Sequence, residues 1–204
     1  MSGPGGVRGP GGERGPCDGV FPMTDRPITD RSLTDDAMTA LPALPDVAVR
    51  RATAADVPAV VALLADDVLG AARESPDDLG PYEAAFAEID RDPQHLLLVA
   101  DRGGAVVGTA QLTFLPGLSH RGATRAQIEA VRIGSAARGA GLGSRLIEWC
   151  VERARERGCS VVQLTSDATR LDARRFYEQL GFRPTHVGFK LVLGDRQAGR
   201  GAAG

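Results

Sequence analysis

A glycine-rich turn between a strand pattern and a helix pattern is the feature that most constrains this 204-residue chain. Residues 125–133 alternate between polar and apolar side chains, as a strand does. After a short turn, residues 138–144 read RGAGLGS and open a long amphipathic segment. Glycine lets the backbone approach a ligand closely, and the first N–H groups of a helix have no partner inside it. The helix dipole adds positive charge there, so the stretch predicts a phosphate-binding site.

Three kinds of phosphate-binding turn have glycines at comparable spacing. A P-loop needs a lysine after its last glycine, and Ser144 follows Gly143 here. A dinucleotide-binding turn needs a third glycine where Ser144 stands, and a doubly wound sheet that the remaining residues are too few to complete. The third kind, the acyl-CoA turn Q/R-x-x-G-x-G/A, matches from Arg138 to Gly143 at every specified position. The sequence therefore favours an acyl-CoA turn.

This turn and the segments around it resemble the GNAT superfamily of acyltransferases. Ile128–Glu129 precedes Arg138 at the spacing that the family has on its fourth strand. Residues 159–164 fit the fifth strand, and residues 173–182 match the closing A-x-x-F-Y-x-x-x-G-F segment. A weaker likeness covers about residues 46–193. One position departs, because Arg170 stands near the place where many members carry asparagine.

Apolar periodicity along the chain predicts the element order βααβββαβαβ. The predicted strands are residues 47–52, 95–100, 105–114, 125–133, 159–164 and 187–193. The predicted helices are residues 53–69, residues 81–90, the segment from the glycine turn to Gly158, and residues 172–180. The resemblance implies an α/β (α+β) fold with a mixed, mostly antiparallel central sheet and helices on both faces. Its fourth and fifth strands are expected to splay apart around the cofactor.

Composition divides the chain into three parts and narrows its class. Residues 1–45 are rich in Gly, Pro and Arg or broken by proline, which predicts a disordered extension. Residues 46–194 are expected to form the acetyltransferase domain, and residues 195–204 a disordered tail. The net charge of −2 does not favour nucleic acid or an anionic membrane as partner. The three cysteines fit neither a disulfide framework nor a metal site, so we expect no metal and a cytoplasmic setting.

The resemblance implies that acetyl-CoA is the co-substrate and that a primary amine of a small molecule or peptide attacks it directly in a ternary complex. Main-chain groups of residues 131–133 would pair with the pantetheine arm, and N–H groups of residues 139–144 would hold the pyrophosphate. The implied cofactor-binding residues are Val131, Arg132, Ile133, Arg138, Gly139, Ala140, Gly141, Leu142, Gly143 and Ser144. For Arg138, a charge contact with the cofactor and a role in pinning the turn both stay open.

Two side chains are candidates for proton transfer. A protonated amine cannot attack a thioester until a base takes its proton, and Glu129 stands where family members often place that base. The alternative is a carboxylate that only pairs with Arg125 or Arg132. Tyr177 matches the family's position for the acid that protonates the leaving thiolate, because a phenol is protonated at neutral pH. The alternative is a ring that only packs.

Other functions compatible with these patterns stay open. One is transfer from another acyl-CoA, or to an oxygen acceptor. Another is a regulatory domain that binds acyl-CoA without turnover, although the presence of both Glu129 and Tyr177 favours turnover. Many members of the family form dimers, so a homodimer is a candidate assembly.

Overall fold

Six strands follow one another across a single sheet in the order in which they occur along the chain. The computed structural model describes residues 39–41, 44–66, 71–191 and 193. In these residues, strands β1 to β6 are Thr39–Leu41, Leu44–Arg51, His95–Arg102, Ala105–Pro116, Thr124–Ile133 and Val161–Leu164. Helices α1 to α5 are Val57–Ala65, Gly80–Arg91, the single turn Ser119–Gly122, Leu142–Glu156 and Leu171–Gln179. Short 3-10 turns, Ala54–Asp56 and Ser135–Ala137, precede α1 and α4.

The direction of the strands changes once. Neighbours from β1 to β5 are antiparallel, whereas β5 and β6 are parallel. Parallel neighbours need a crossover connection, and α4 supplies it. The result confirms the predicted mixed, mostly antiparallel sheet.

Strand β3 shows that helices cover both faces of the sheet. Leu96 and Leu98 belong to the larger apolar core, which includes the buried face of α4. Leu97 and Val99 belong to a second core with residues of α1 and α2. A strand that is buried on both faces needs an apolar residue at every position, which explains the unbroken apolar run seen in the sequence. The predicted placement of helices on both faces is therefore confirmed.

Strand β1 lies inside the segment that the sequence assigned to a disordered extension, so the predicted boundary at residue 45 was wrong. Thr39–Leu41 pairs with β2, and Leu41 is only 2% exposed in the larger core. The sequence did not predict β1 because it has only three residues and one buried apolar side chain, Leu41, which is too few to form an alternating pattern. The rest of the predicted extension, residues 1–38, and the predicted tail, residues 195–204, lie outside the described residues.

The predicted final strand, residues 187–193, was also wrong. Val187, Phe189 and Leu191 are 79%, 93% and 85% exposed, and residues 181–191 form neither helix nor strand. Their alternation is strand-like, but a strand is held by hydrogen bonds to a neighbouring strand, and in the described residues no strand pairs with this segment. The element order in the described chain therefore ends with α5. No helix in these residues has the length and apolar character needed to cross a membrane.

An arginine between two aspartates ties β2, the turn before α1, and β3 together. Arg50 donates to both carboxylate oxygens of Asp56 (2.7 and 2.9 Å) and through Nε and Nη2 to Oδ2 of Asp101 (3.2 and 3.0 Å). Asp56 also accepts from the N–H of Thr53 (2.8 Å), and Asp101 from the N–H of Gly104 (2.7 Å). The hydrogen bonds from Arg50 lower the pKa of Asp56 to about 2. The cluster joins two strands to the start of α1.

Arg50→Met is expected to destabilise the fold by about 3 kcal/mol at pH 7, because it leaves two buried carboxylates without a counter-charge. The folded pKa of Asp56 lies below its unfolded value of about 4, so its contribution is complete above that pH and is lost as pH falls toward 2. The gap between the two proteins in urea unfolding should therefore narrow between pH 4 and pH 2.

The matched control is Arg51→Met. Arg51 pairs with Asp90, whose side chain is 51% exposed, so its loss should cost about 1 kcal/mol or less. Equal losses for the two variants at pH 7, or a gap that does not narrow in acid, would contradict the assigned role of the cluster.

Candidate functional site

Strands β5 and β6 pair only over the first half of β5. The register runs from Arg125 opposite Val161 to Ile128 opposite Leu164, where β6 ends. The stretch of β5 from residue 129 to residue 133 continues without a strand on that side in the described chain. We call the space beside it the cleft. An unpaired strand edge offers main-chain donors and acceptors to an extended ligand, and the residues predicted to pair with the pantetheine arm lie on this edge.

A bulge distorts β5 inside the cleft. Thr109 of β4 pairs with Arg132 and Gln111 pairs with Glu129, so two residues of β5 stand opposite one residue of β4. Ala130, within the bulge, has a φ of 52°, which is uncommon for a residue other than glycine. A bulge leaves one residue out of the ladder and re-aims its main-chain groups. Such strain persists only where the surroundings hold it, and here it lies next to Glu129.

The glycine turn presents a row of main-chain N–H groups. Gly139 and Gly141 have φ values of 85° and 78°, and Gly141 caps the start of α4 in a left-handed conformation that suits glycine. The first bonded N–H is that of Arg145, which donates to the Gly141 carbonyl at 3.2 Å. From Gly139 to Ser144, no main-chain N–H has an acceptor in the described part of the chain. With the helix dipole, this geometry can hold a phosphate or pyrophosphate.

Arg138 fastens the glycine turn to two other elements. Its Nε donates to the Ile133 carbonyl at 2.9 Å, at the end of β5. Its Nη2 donates to the carbonyl and the carboxylate of Asp66, just after α1, at 3.1 and 2.8 Å. The same carboxylate accepts from the N–H of Ser135 at 3.3 Å. Of the two roles left open for Arg138, these contacts favour pinning the turn.

Sequence reasoning missed Asp66 as the anchor of this turn. It lies 72 residues before Arg138, and no local pattern links two positions so far apart. The signal available was only an aspartate at the end of a predicted helix. The contact forms because α1 lies beside β5 in the fold.

Helix α5 closes the cleft from the side of the glycine turn. A Cβ added to Gly143 would lie 3.5 Å from the Phe176 ring and 3.7 Å from the Ile133 side chain. The Tyr177 ring packs edge-on against Phe176 and Phe182, with centroid distances of 5.1 and 6.0 Å. The end of β5, the start of α4 and the middle of α5 therefore meet at one place.

The hydroxyl of Tyr177 is available to a ligand. Burial raises the pKa of Tyr177, and the nearby Arg170 and Arg132 oppose that shift more weakly. The phenol is therefore protonated at neutral pH and can donate its proton. Tyr177 is half-buried, and within the described residues no hydrogen bond uses its hydroxyl. Packing of the ring and donation by the hydroxyl are compatible.

Glu129 is exposed at the point where β5 leaves β6. Its neighbour Ile128 is buried in the core under α4, and successive side chains of a strand point to opposite faces. Glu129 therefore lies on the face that carries α1 and α2. Pairing with Arg125 or Arg132, the alternative suggested by the sequence, is not found for this carboxylate in the described chain. No His, Cys, Asp and Glu cluster suited to a metal occurs among these residues.

Comparisons with known proteins agree with this geometry. Residues 58–182 match the model of the acetyltransferase (GNAT) family. The aminoalkylphosphonate N-acetyltransferase of Salmonella typhimurium is 29% identical over 150 residues, which are 74% of this chain and 94% of that protein. The glucosamine 6-phosphate N-acetyltransferase of Trypanosoma brucei brucei is 39% identical over 90 residues, 44% of this chain and 59% of that protein.

Solved structures show the same likeness. A crystal structure described as a transcriptional regulator from Bacillus halodurans C-125 has 50% sequence identity and a TM-score of 0.70. The match covers 72% of this chain and 99% of that chain. The family match spans more than half of the sequence and includes the cleft, the glycine turn and α5. The chain is a member of the GNAT acetyltransferase family.

Proposed function

We propose that this protein transfers the acetyl group of acetyl-CoA to a primary amine of a small molecule or peptide, by direct attack in a ternary complex. The observation that carries the proposal is the junction of two features. The free edge of β5 leads directly into a glycine turn whose N–H groups are unbonded within the described chain. An extended acyl-pantetheine joined to a pyrophosphate fits this combination. The two curated relatives, both named N-acetyltransferases, support acetyl transfer to nitrogen.

The cofactor is recognised mainly by main-chain groups. The pantetheine arm adds to the edge of β5 at Val131, Arg132 and Ile133, in the manner of an extra strand. The pyrophosphate lies on the N–H groups of residues 139–144 at the start of α4. Arg138 keeps this cradle in place through Asp66 and the end of β5.

Glu129 and Tyr177 move the protons of the reaction. Glu129 takes a proton from the ammonium group, directly or through water, and the freed amine attacks the thioester carbonyl. A main-chain N–H at the bulge near Val131 donates to the oxyanion that forms. The C–N bond is then complete, the C–S bond breaks, and the Tyr177 hydroxyl donates its proton to the departing thiolate. The acylated nitrogen loses its second proton to solvent as the amide forms, Glu129 returns its proton to solvent, and Tyr177 regains one, so one proton is released per turnover.

A second candidate is a regulatory domain that binds acyl-CoA without turnover. The description of the Bacillus halodurans protein as a transcriptional regulator favours it. Thiol release from acetyl-CoA, measured with a panel of amines, separates the two functions, because a sensor releases none. Replacing acetyl-CoA with longer acyl-CoA esters, or the amines with alcohols, tests the remaining acyl-transfer alternatives.

We place the protein in the cytoplasm, where acetyl-CoA and reduced thiols occur together. Cys150 is buried and Cys159 half-buried, and both are free thiols. Burial raises the pKa of Cys150 to about 12 and that of Cys159 to about 11. Both thiols therefore stay protonated and unreactive, which suits a packing role in a reducing compartment.

Gly141→Val is expected to weaken CoA binding by tenfold or more in a protein that still folds. No described atom lies within 4 Å of a Cβ built on Gly141, so the added side chain would occupy the space proposed for the pyrophosphate. The matched control is Gly158→Val at the other end of α4, where φ is 70° and the Cβ position is equally open. Calorimetry with CoA should separate the variants. Equal CoA affinities would contradict the cradle.

Glu129→Gln is expected to leave acetyl-CoA affinity near normal and to lower turnover with amines at neutral pH by roughly a hundredfold. Raising the pH should restore part of the rate, because bulk solvent then deprotonates the amine. Steady-state rates from pH 7 to pH 10 measure this. A wild-type rate at pH 7 would make the carboxylate dispensable.

Tyr177→Phe is expected to reduce turnover about ten- to a thousandfold, because it removes the acid and keeps the ring packing. Acetyl-CoA affinity should change little, since the proposed contacts are main-chain groups. Tyr82→Phe is the control: its hydroxyl bonds locally, donating to Glu74 at 2.9 Å and accepting from the N–H of Ser75 at 2.8 Å. Identical rates for Tyr177→Phe and wild type would point to water as the acid.

A further inference from the structure

A row of polar side chains crosses the sheet next to Glu129. In the register of β4 with β5, Gln111 stands opposite Glu129 and Thr113 opposite Gln127. In the register of β5 with β6, Gln127 stands opposite Gln163. Side chains of directly opposite residues lie next to each other on one face. We call the three glutamines of β4, β5 and β6 the amide strip.

The amide strip lies on the face opposite the main core. Leu112, Ile128 and Leu164 follow the three glutamines in sequence and pack in the core under α4, so the glutamines point to the other face. The apolar cluster on that other face takes its sheet residues from β3 and from Val106 of β4, and in the described chain it does not reach β5 or β6. The apolar cluster under α1 and α2 therefore does not extend over the strip, which is a half-buried polar surface.

Two members of the strip are already bonded to each other. Nε2 of Gln163 donates to Oε1 of Gln127 at 2.7 Å, and both side chains are half-buried. Each amide has two donor hydrogens and a carbonyl that accepts twice. One shared bond leaves an NH₂ group on one glutamine and a carbonyl on the other. Exchanging the nitrogen and oxygen of both amides leaves the same set, so the pair can donate and accept whichever way it is oriented.

The position of the amide strip relative to the proposed cofactor edge indicates that the acceptor lies over the strip. Along β5, the proposed cofactor edge runs from Ile133 back to Glu129, and Gln127 lies two residues further in the same direction. Two residues of an extended strand span about 7 Å. An amine held at Glu129, with the thioester on its Ile133 side, can extend along the strand toward Gln127 and Gln163.

We propose that the amide strip is the acceptor-binding surface and that it selects primary amines carrying hydroxyl groups about 7 Å from the nitrogen, as in an amino sugar or amino polyol. The proposal rests on the acetyl transfer proposed above and on the place of Glu129 in it. Hydroxyls can both donate to and accept from the glutamine pair. An alkyl amine would cover these amides without bonding them, and a site of this kind rejects such an analogue strongly.

The test compares two ring amines, D-glucosamine and cyclohexylamine, with wild type and Gln163→Leu. For each amine, the ratio of kcat/KM between the two proteins cancels the different pKa values of the amines. Gln163→Leu should lower kcat/KM for glucosamine at least tenfold, mainly through KM, and change it for cyclohexylamine by less than twofold. The KM for acetyl-CoA should stay the same.

Two further variants serve as controls for folding and for position. Gln127→Leu with Gln163→Leu removes both amides and leaves neither partner unbonded, so it should fold even if the single variant does not, and it should show the same selective loss. Gln94→Leu, outside the strip, should affect neither amine.

The outcomes separate the two levels of the proposal. The amide strip would be overturned as the acceptor surface if Gln163→Leu affected both amines equally or affected neither. A wild-type preference for peptide amines over glucosamine would also overturn it. Each of these outcomes leaves the proposed acetyl transfer intact. Failure of wild type to release thiol with any amine would overturn the proposed function, and the strip assignment with it.

Discussion

The site exists because the pairing of two parallel strands stops early. β5 and β6 share hydrogen bonds only as far as Ile128 and Leu164, and β5 then continues for five more residues along an open edge. An open edge inside a sheet is a liability unless something fills it. The neighbouring elements hold it open: α4 and α5 pack behind it through Phe176 and Gly143, and β4 supports it from the other side. The cleft is thus a property of the strand arrangement.

The open edge also accounts for the strained bulge. β5 pairs with β4 along its whole length but with β6 over only half, so its outer half lacks a ladder on one side. The extra residue at Ala130 is accommodated where no second partner would be disturbed. The bulge at Ala130 lies between Glu129, the first residue beyond the paired half, and the residues proposed to meet the pantetheine arm. The backbone strain, the proposed base and the proposed cofactor edge therefore lie within a few residues of one another.

The parts of this structure that sequence alone predicted are those with a local physical signal. The apolar run of β3, the glycines at residues 139 and 141, and the amphipathic α4 each satisfy a rule that acts over a few residues. The parts that it missed depend on distant partners: the contact of Arg138 with Asp66, the pairing of β1 with β2, and the exposure of residues 187–191. The strand predicted from the alternation at residues 187–193 was wrong, because a strand needs a neighbouring edge to pair with, and in the described chain this segment has none.

In the proposed mechanism, cofactor and acceptor are recognised by different parts of the same strand. On the Ile133 side of Glu129, the proposed recognition uses main-chain groups, which almost any residue can supply whatever its side chain. On the Gln127 side, the proposed recognition uses the side chains of Gln127 and Gln163, which stand opposite each other on β5 and β6. Under this proposal, substituting the glutamines would change the acceptor without disturbing the cofactor edge, because alternate residues of β5 carry the core that holds the edge. One fold can in this way keep a single acyl donor while its acceptor changes.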